Sequence, residues 1–197
     1  MSQTPLGILL AAGKSARFGS NKLLHPLIDN TPMVLLSAKK LVSVLPDSII
    51  VINPSLNVLT PQLEQMGLRV IINEQAGQGM GSSIACGVRA SESVSETTSG
   101  WLIMLADMPY IKSETIGLLV DKLKQGAGLV APVLFHQGGQ QRGHPVGFSA
   151  CFKDELLALY KDMGARQILK NHQSELELVT VNDEGVIIDI DQASDIL

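Results

Sequence analysis

The sequence has few of the features that mark membrane, secreted or metal-framework proteins. Only two of its 197 residues are cysteines, and Cys86 and Cys151 are too far apart for a metal site or a disulfide framework. Both are expected to be reduced. No apolar run approaches the roughly 20 residues of a membrane-spanning helix, and the first five residues lack the positive charge that starts a secretory signal. These absences predict a cytoplasmic protein with no membrane partner.

An excess of positive charge is also absent. The chain has 15 Lys and Arg residues against 19 Asp and Glu residues, and its formal net charge is −4. Proteins that bind nucleic acid usually present a basic surface, so no nucleic-acid partner is expected. Any phosphate ligand must instead be met by local cations. The 45% apolar content indicates a globular protein, and the length suits a single domain over residues 1–197.

Apolar strand-like runs alternate with helix-like segments along the chain. Strands are predicted at residues 6–10, 48–52, 68–72, 101–106, 128–135, 146–148, 175–181 and 186–190. Helices are predicted at residues 32–44, 55–66, 82–90, 113–125, 154–160 and 165–172, with Pro61 interrupting or kinking the second. A Gly- and Gln-rich loop is expected between the fifth and sixth strands. This alternation favours the α/β class, with a mostly parallel sheet covered on both faces.

The segment after the first predicted strand is the most informative part of the chain. The apolar run stops at Gly13, and two cations, Arg17 and Lys22, flank Gly19. Open backbone N–H groups and fixed positive charge are what a nucleoside triphosphate needs at the end of a buried strand. The residues expected to bind a nucleotide here are Leu10, Ala11, Ala12, Gly13, Lys14, Ser15, Arg17 and Lys22.

Two familiar nucleotide motifs do not fit this segment. Gly13, Lys14 and Ser15 resemble the end of a P-loop, but that motif needs glycine at position 8, which is Ile8. The dinucleotide fingerprint also fails, because no Gly-x-Gly doublet opens the loop and Gly13 and Gly19 are too far apart. The loop is therefore suited to phosphate but belongs to neither class.

Asp107 is a candidate magnesium ligand at the end of another predicted strand. It follows the apolar run 101–106 and precedes Met108 and Pro109. Mg²⁺ commonly takes one or two carboxylates together with substrate phosphates. An aspartate at this position can also simply cap a turn. The phosphate-like loop in the same chain favours the metal role.

A second carboxylate is available near residue 190. Asp189 and Asp191 are two residues apart and would share one face of a predicted strand. Asp191 lies at the end of that strand and is the preferred ligand, with Asp189 as the alternative. Without a metal, both would be ordinary solvated carboxylates. Asp195 is expected to belong to the start of a helix.

A glycine-rich segment at residues 77–81, followed by Ser82 and Ser83, is a further candidate. Glycines let a base or ribose approach the backbone, and hydroxyls at a helix N-terminus bind polar groups. These residues alone favour an ordinary loop with a serine N-cap. Gly79 and Ser83 are candidate nucleotide contacts, and the family resemblance described below implies that the segment lies near base and ribose.

Three basic residues are candidates for binding a second, anionic substrate: Arg142, His144 and Arg166. His144 would equally suit a turn before proline, and Arg166 would equally suit an exposed position in a helix capped by Asp162. The sequence contains neither Gly-x-Ser-x-Gly nor His-Glu-x-x-His. The available groups suit direct displacement at phosphorus, where positioning and charge stabilisation dominate.

Together these segments resemble the MobA-like nucleotidyltransferases, and within them the molybdenum cofactor cytidylyltransferases. The matching segments follow the family's order: residues 10–24, 79–83, 107–109, 142–145, 162–166 and 189–191. The resemblance implies a Rossmann-like, three-layer α/β fold of the glycosyltransferase-A type. It also implies that Arg17 and Lys22 contact the nucleotide phosphates and that Asp107 and Asp191 hold Mg²⁺.

The reaction implied by the resemblance is attack by the terminal phosphate of a molybdopterin-type cofactor on the α-phosphorus of CTP, with release of pyrophosphate. Lys22, Arg17 and Asp107 are the implied catalytic residues. Guanylyltransferase relatives tend to have Leu-Ala-Gly-Gly in the first motif, so the methyl group of Ala12 favours the smaller cytosine. Alternatives are a guanylyl- or other NTP-transferase of the same fold, and a non-catalytic chaperone that delivers a molybdenum cofactor to a dehydrogenase. An oxidoreductase ranks last, since the dinucleotide fingerprint is missing.

Overall fold

The computed structural model describes residues 4–13, 21–94, 98–136, 138–161 and 163–196. Four residues singled out from the sequence, Lys14, Ser15, Arg17 and Asp162, lie outside these ranges. Inside them, no helix combines the length and the apolar character that crossing a lipid bilayer would require.

An eight-stranded sheet runs through the described part of the chain. Its strands are β1 (Leu6–Ala11), β2 (Ile49–Ile52), β3 (Arg69–Ile72), β4 (Gly100–Leu105), β5 (Leu129–His136), β6 (Gly139–Arg142), β7 (Val146–Ser149) and β8 (Leu176–Thr180). The strand order is β3-β2-β1-β4-β7-β5-β6, and β8 pairs with β5. Strand β7 is antiparallel to β4 and β5, and β6 is antiparallel to β5, whereas the remaining pairs are parallel. The predicted mostly parallel sheet is confirmed.

Helices cover both faces of this sheet. They are α1 (Met33–Val42), α2 (Thr60–Gln65), α3 (Met80–Ser91), α4 (Ser113–Lys124), α5 (Lys153–Leu157) and α6 (Arg166–Asn171). Because successive side chains of a strand point to opposite faces, Leu9 packs with α1, α2 and α4 in one core cluster. Its neighbours Ile8 and Leu10 pack with α3, α5 and α6 in the other. The result is the expected three-layer α/β fold.

Two elements differ from the sequence-based prediction. The strand predicted at residues 186–190 is wrong: Glu184–Ile187 forms a 3₁₀ turn, and extended backbone follows it. The backbone there bonds to loops, with the Val186 carbonyl accepting from His144 N at 2.8 Å and Ile190 N donating to the Asp107 carbonyl at 2.9 Å. The loop predicted before β7 instead contains β6, which pairs with β5.

The predicted helix at residues 55–66 is also divided differently. Pro54–Leu59 is a 3₁₀ segment, and α2 begins only at Thr60. Pro61 therefore lies in the first turn of α2, where its missing N–H costs no helical hydrogen bond. The proline begins a helix rather than interrupting one.

Asp183 joins the start of α4 to the segment that leads to Asp191. Its carboxylate is buried, with the residue only 2% exposed. One oxygen accepts hydrogen bonds from Lys112 N at 2.9 Å and from the Thr115 hydroxyl at 2.7 Å. The other oxygen accepts from Gly185 N at 3.1 Å. This carboxylate therefore fixes where residues 184–191 begin relative to the sheet.

Replacing Asp183 with alanine should lower the free energy of unfolding by about 3 kcal/mol, because buried donors would lose their acceptor. Urea denaturation of the variant and the parent protein measures this change. Asp121→Ala, an exposed change on α4, is the matched control and should stay within about 0.5 kcal/mol of the parent. Equal stability of the two variants would contradict the role given to Asp183.

Candidate active site

The first loop begins at the carboxyl end of β1, in the middle of the sheet. Ala106 N donates to the Leu10 carbonyl at 3.0 Å, which ties this end of β1 to the end of β4. The Asn53 amide, just after β2, lies 3.5 Å from the Ala12 carbonyl and 3.4 Å from the Gly13 carbonyl as a donor. A Cβ atom added to Gly13 would meet nothing within 4 Å, so this backbone faces open space. The described start of the loop is thus held by Asn53 through its carbonyl groups, while the Cβ side of Gly13 is open.

Lys22 stands between the two predicted metal ligands. Its Nζ donates to Asp107 Oδ2 at 2.9 Å and to Asp191 Oδ1 at 2.7 Å. The exposed fractions of these side chains are 11% for Lys22, 24% for Asp107 and 47% for Asp191. Residues separated by most of the chain length therefore meet in one partly buried cluster.

Local structure explains how each member of this cluster is positioned. Lys22 begins a 3₁₀ turn in which Leu23 N donates to the Asn21 side-chain oxygen at 3.3 Å. Asp107 follows β4, and its carbonyl accepts from Ile190 N, which brings the last described segment to the end of β4. The Asp195 carboxylate accepts the N–H of Asp191 at 2.9 Å and so shapes the backbone at Asp191. Asp195 belongs to a 3₁₀ turn rather than to the expected α-helix start.

Charge pairing determines the protonation state of Lys22. Burial lowers the pKa of its ammonium group, but hydrogen bonds and charge attraction from Asp191 and Asp107 outweigh that effect and raise the pKa above 10.5. Lys22 is therefore a permanent cation at neutral pH.

A cavity of about 440 Å³ opens beside this cluster. Its lining residues are Leu10, Ala12, Gly13, Lys22, Leu23, Ala76, Gly77, Gly79, Met80, Ser83, Leu105 and Asp107. Most described residues that the sequence assigned to a nucleotide thus share one space. Ala11 does not line it, because its side chain is fully buried within β1.

The glycine-rich segment forms one wall of this cavity. Gly79 has φ of +111°, a conformation that favours glycine, and it leads directly into α3. Asn73 is only 5% exposed, and its amide donates to the Ser82 and Ser83 hydroxyls at 3.2 and 3.1 Å. The alternative of a serine N-cap is wrong, since α3 already begins at Met80 and its N-cap is Gly79. Sequence reasoning missed Asn73, although its position right after β3 marks a strand end.

A second, smaller cavity lies beside the first. It measures about 190 Å³ and shares Leu10, Met80 and Leu105 with the first cavity. The basic residues that the sequence assigned to a second substrate all line it: Arg142, His144 and Arg166. The rest of its lining is mainly apolar.

His144, unlike the two arginines, is mainly uncharged at neutral pH. Burial lowers its pKa below 6.5, and the nearby charge of Asp107 only partly opposes this. Its Nδ1 is buried and has no hydrogen-bond partner in the described structure. The two arginines, both exposed, therefore supply the positive charge of this cavity.

The donor set fits a magnesium ion that is completed by phosphate and water. Among the described residues, no group of three or more His, Cys, Asp and Glu side chains could hold a metal. Asp107 and Asp191 nevertheless point oxygens at one position, now taken by Lys22 Nζ, and two carboxylates suffice when substrate phosphates and water complete the shell. Asp189 is exposed and does not lie on a strand, so the expected shared strand face with Asp191 is wrong.

Comparison with known proteins identifies relatives along nearly the whole chain. The sequence profile of the MobA-like NTP transferase domain matches residues 7–176. Purine catabolism protein PucB of Bacillus subtilis is 31% identical over 199 residues, covering 94% of this chain and 91% of PucB. Nicotine blue oxidoreductase of Paenarthrobacter nicotinovorans is 26% identical, with 94% and 91% covered. A probable molybdenum cofactor guanylyltransferase of Thermococcus gammatolerans is 28% identical, with 77% and 73% covered.

Solved structures show the same fold. Rv0371c from Mycobacterium tuberculosis H37Rv in complex with manganese aligns with a TM-score of 0.78 and 22% identity, over 98% of this chain and 95% of that one. The family profile ends before Asp191. What places Asp191 at the site is therefore its ion pair with Lys22.

Proposed function

The chain belongs to the MobA-like NTP transferase family, and we propose that it transfers CMP from CTP to the terminal phosphate of a molybdopterin-type cofactor. The observation that carries this proposal is that two neighbouring cavities share three lining residues, Leu10, Met80 and Leu105. The larger cavity is lined by the Gly13 backbone, the Lys22 cation and the Asp107 carboxylate, which suit a triphosphate. The smaller one has two arginines and apolar walls, which suit a phosphate-bearing ring system.

The reaction joins one phosphate oxygen of the acceptor to the α-phosphorus of CTP and breaks the bond to the β-phosphate, so that pyrophosphate leaves. Because the two cavities share Leu10, Met80 and Leu105 in their linings, they lie side by side and would hold the two substrates next to each other, which favours attack through positioning. Arg142 and Arg166 bind the acceptor phosphate, and His144 contacts its less charged part as a neutral ring.

Lys22 stabilises the negative charge that builds on the transferring phosphoryl group, together with Arg17 from the loop outside the described residues. Asp107 and Asp191 would hold a Mg²⁺ ion, which when bound neutralises charge on the triphosphate. The manganese complex of the structurally similar Rv0371c supports a divalent cation in this fold.

The preference for cytosine rests on Ala12. Its side chain lines the nucleotide cavity, and a methyl group at this position would leave less room for a purine than a glycine would. The similarity to a probable molybdenum cofactor guanylyltransferase makes GTP the alternative substrate.

We expect purified protein with Mg²⁺ and the molybdenum cofactor to release pyrophosphate about tenfold faster with CTP than with GTP, ATP or UTP. An enzyme-coupled pyrophosphate assay across the four triphosphates measures this. The Ala12→Gly variant should narrow the difference between CTP and GTP.

Each other result supports a different function. Faster release with GTP would assign a guanylyltransferase. Binding of the cofactor without release from any triphosphate would assign a cofactor chaperone.

A further inference from the structure

The Lys22 ammonium occupies the position where the proposed metal ion would sit. Nζ lies 2.9 Å from one carboxylate oxygen and 2.7 Å from the other. Both oxygens therefore contact the same ammonium nitrogen. A divalent ion that coordinates both at about 2.1 Å requires them to lie within about 4.2 Å of each other, and it would then lie between them, in the region that Nζ fills.

We propose that Lys22 is a tethered counter-ion that pairs with Asp107 and Asp191 when no divalent ion is bound there and moves to the nucleotide phosphates when the metal enters. The inference rests on the proposed metal site of Asp107 and Asp191. Two cations cannot share one position between the same two oxygens, so binding of a divalent ion requires the ammonium to leave.

The structure gives Lys22 a place to go. Its side chain lines the cavity assigned to the triphosphate, together with the open backbone of Gly13. Its backbone is held in the capped 3₁₀ turn, so only the flexible four-carbon stem has to move. The same ammonium therefore reaches either the carboxylates or the phosphates.

This arrangement couples the metal to the nucleotide. A free divalent ion has to compete with the tethered ammonium for the two carboxylates. When the ion arrives with a triphosphate, the phosphate oxygens give that ammonium new partners. Without a nucleotide, free metal should therefore bind the protein weakly, and the metal–nucleotide complex should be the preferred ligand.

Titration with Mn²⁺ followed by electron paramagnetic resonance tests the proposal without nucleotide. Lys22→Met removes the charge but keeps most of the stem, and it should raise the affinity for Mn²⁺ at least tenfold. Lys124→Met, an exposed change at the end of α4, is the matched control and should leave the affinity unchanged. Asp107→Asn should abolish Mn²⁺ binding by the Lys22→Met protein.

Unchanged or weaker Mn²⁺ binding by a folded Lys22→Met protein would overturn the proposal. So would unaltered binding after Asp107→Asn is added, because the ion would then lie elsewhere. If Lys22→Met does not fold, the Lys22 ammonium signal of the wild-type protein serves instead. Saturating Mg²⁺ should shift that NMR signal, and an unmoved signal would refute the displacement.

These results are separable from the proposed function. If Lys22→Met binds Mn²⁺ more tightly but the wild-type protein releases pyrophosphate from no triphosphate, the counter-ion role stands and the transferase is rejected. If the wild-type protein releases pyrophosphate but Lys22→Met gains no Mn²⁺ affinity, the transferase stands and the counter-ion role is rejected.

Discussion

Replacing Asp107 with alanine should slow pyrophosphate release by about a thousandfold or more, because the site would lose a carboxylate that holds the cation on the triphosphate. The fold should survive this change. Asp107 is partly exposed, and its bond to Ile190 uses the backbone carbonyl, which alanine keeps. The variant should therefore show a parent-like circular dichroism spectrum, and steady-state pyrophosphate assays at saturating Mg²⁺ measure the loss.

Asp47→Ala is the control for Asp107→Ala. Asp47 is exposed and precedes β2, so it lies at the opposite end of the sheet from Asp107, which follows a parallel strand. Its removal should leave turnover unchanged. Near-normal turnover in Asp107→Ala, with Mg²⁺ still required, would show that other groups hold the metal.

The central strands could be predicted because their residues are apolar on both faces. The runs that form β1 and β4 have no other place than the middle of a sheet covered by helices. Strand β6 could not be found in this way, since all four of its residues are exposed and follow no apolar alternation. Residues 186–190 gave the opposite error: they are apolar enough for a strand, but Asp183 and the loop at His144 take their backbone bonds.

The residues of the candidate site also fall into those that a sequence pattern marks and those that only the folded structure identifies. Gly13 and Asp107 could be proposed because each follows the end of an apolar strand, and Lys22 could be proposed because it is one of two cations in the segment after the first strand. Asn53 and Asn73 were missed, because their importance depends on contacts across the fold, to the first loop and to the Ser82 and Ser83 hydroxyls. A single asparagine after a strand does not say which backbone or hydroxyl it will meet.

The contact between Lys22 and Asp191 is the feature of the site that is hardest to predict from the sequence. The two residues are 169 positions apart, and Asp191 reaches the site only because Ile190 bonds to the end of β4. Sequence position favoured Asp191 over Asp189 for a strand that does not form. The structure brings Asp191 to the site through its ion pair with Lys22, and its role as a metal ligand stays a prediction.

Lys22→Ala should reduce turnover by about 100- to 1,000-fold, the loss typical when a group that stabilises transition-state charge is removed. The raised pKa of Lys22 means that its charge is present at every pH below its usual value of 10.5 and is lost only above it. The wild-type rate should therefore show no ionisation of this group near neutral pH. Steady-state pyrophosphate assays between pH 6 and about 9 measure both effects.

The Lys22→Ala variant should differ from Asp107→Ala in one respect that identifies the role of the ammonium. It should still bind Mn²⁺, since both carboxylates remain, whereas Asp107→Ala should lose the metal and the turnover together. Added ethylamine should partly restore the rate of Lys22→Ala by supplying a cation to the vacated space. Lys39→Ala, an exposed change on α1, should match the parent. If Lys22→Ala lost metal binding as well as turnover, the lysine would act by holding the carboxylates in place rather than by stabilising charge on the phosphoryl group.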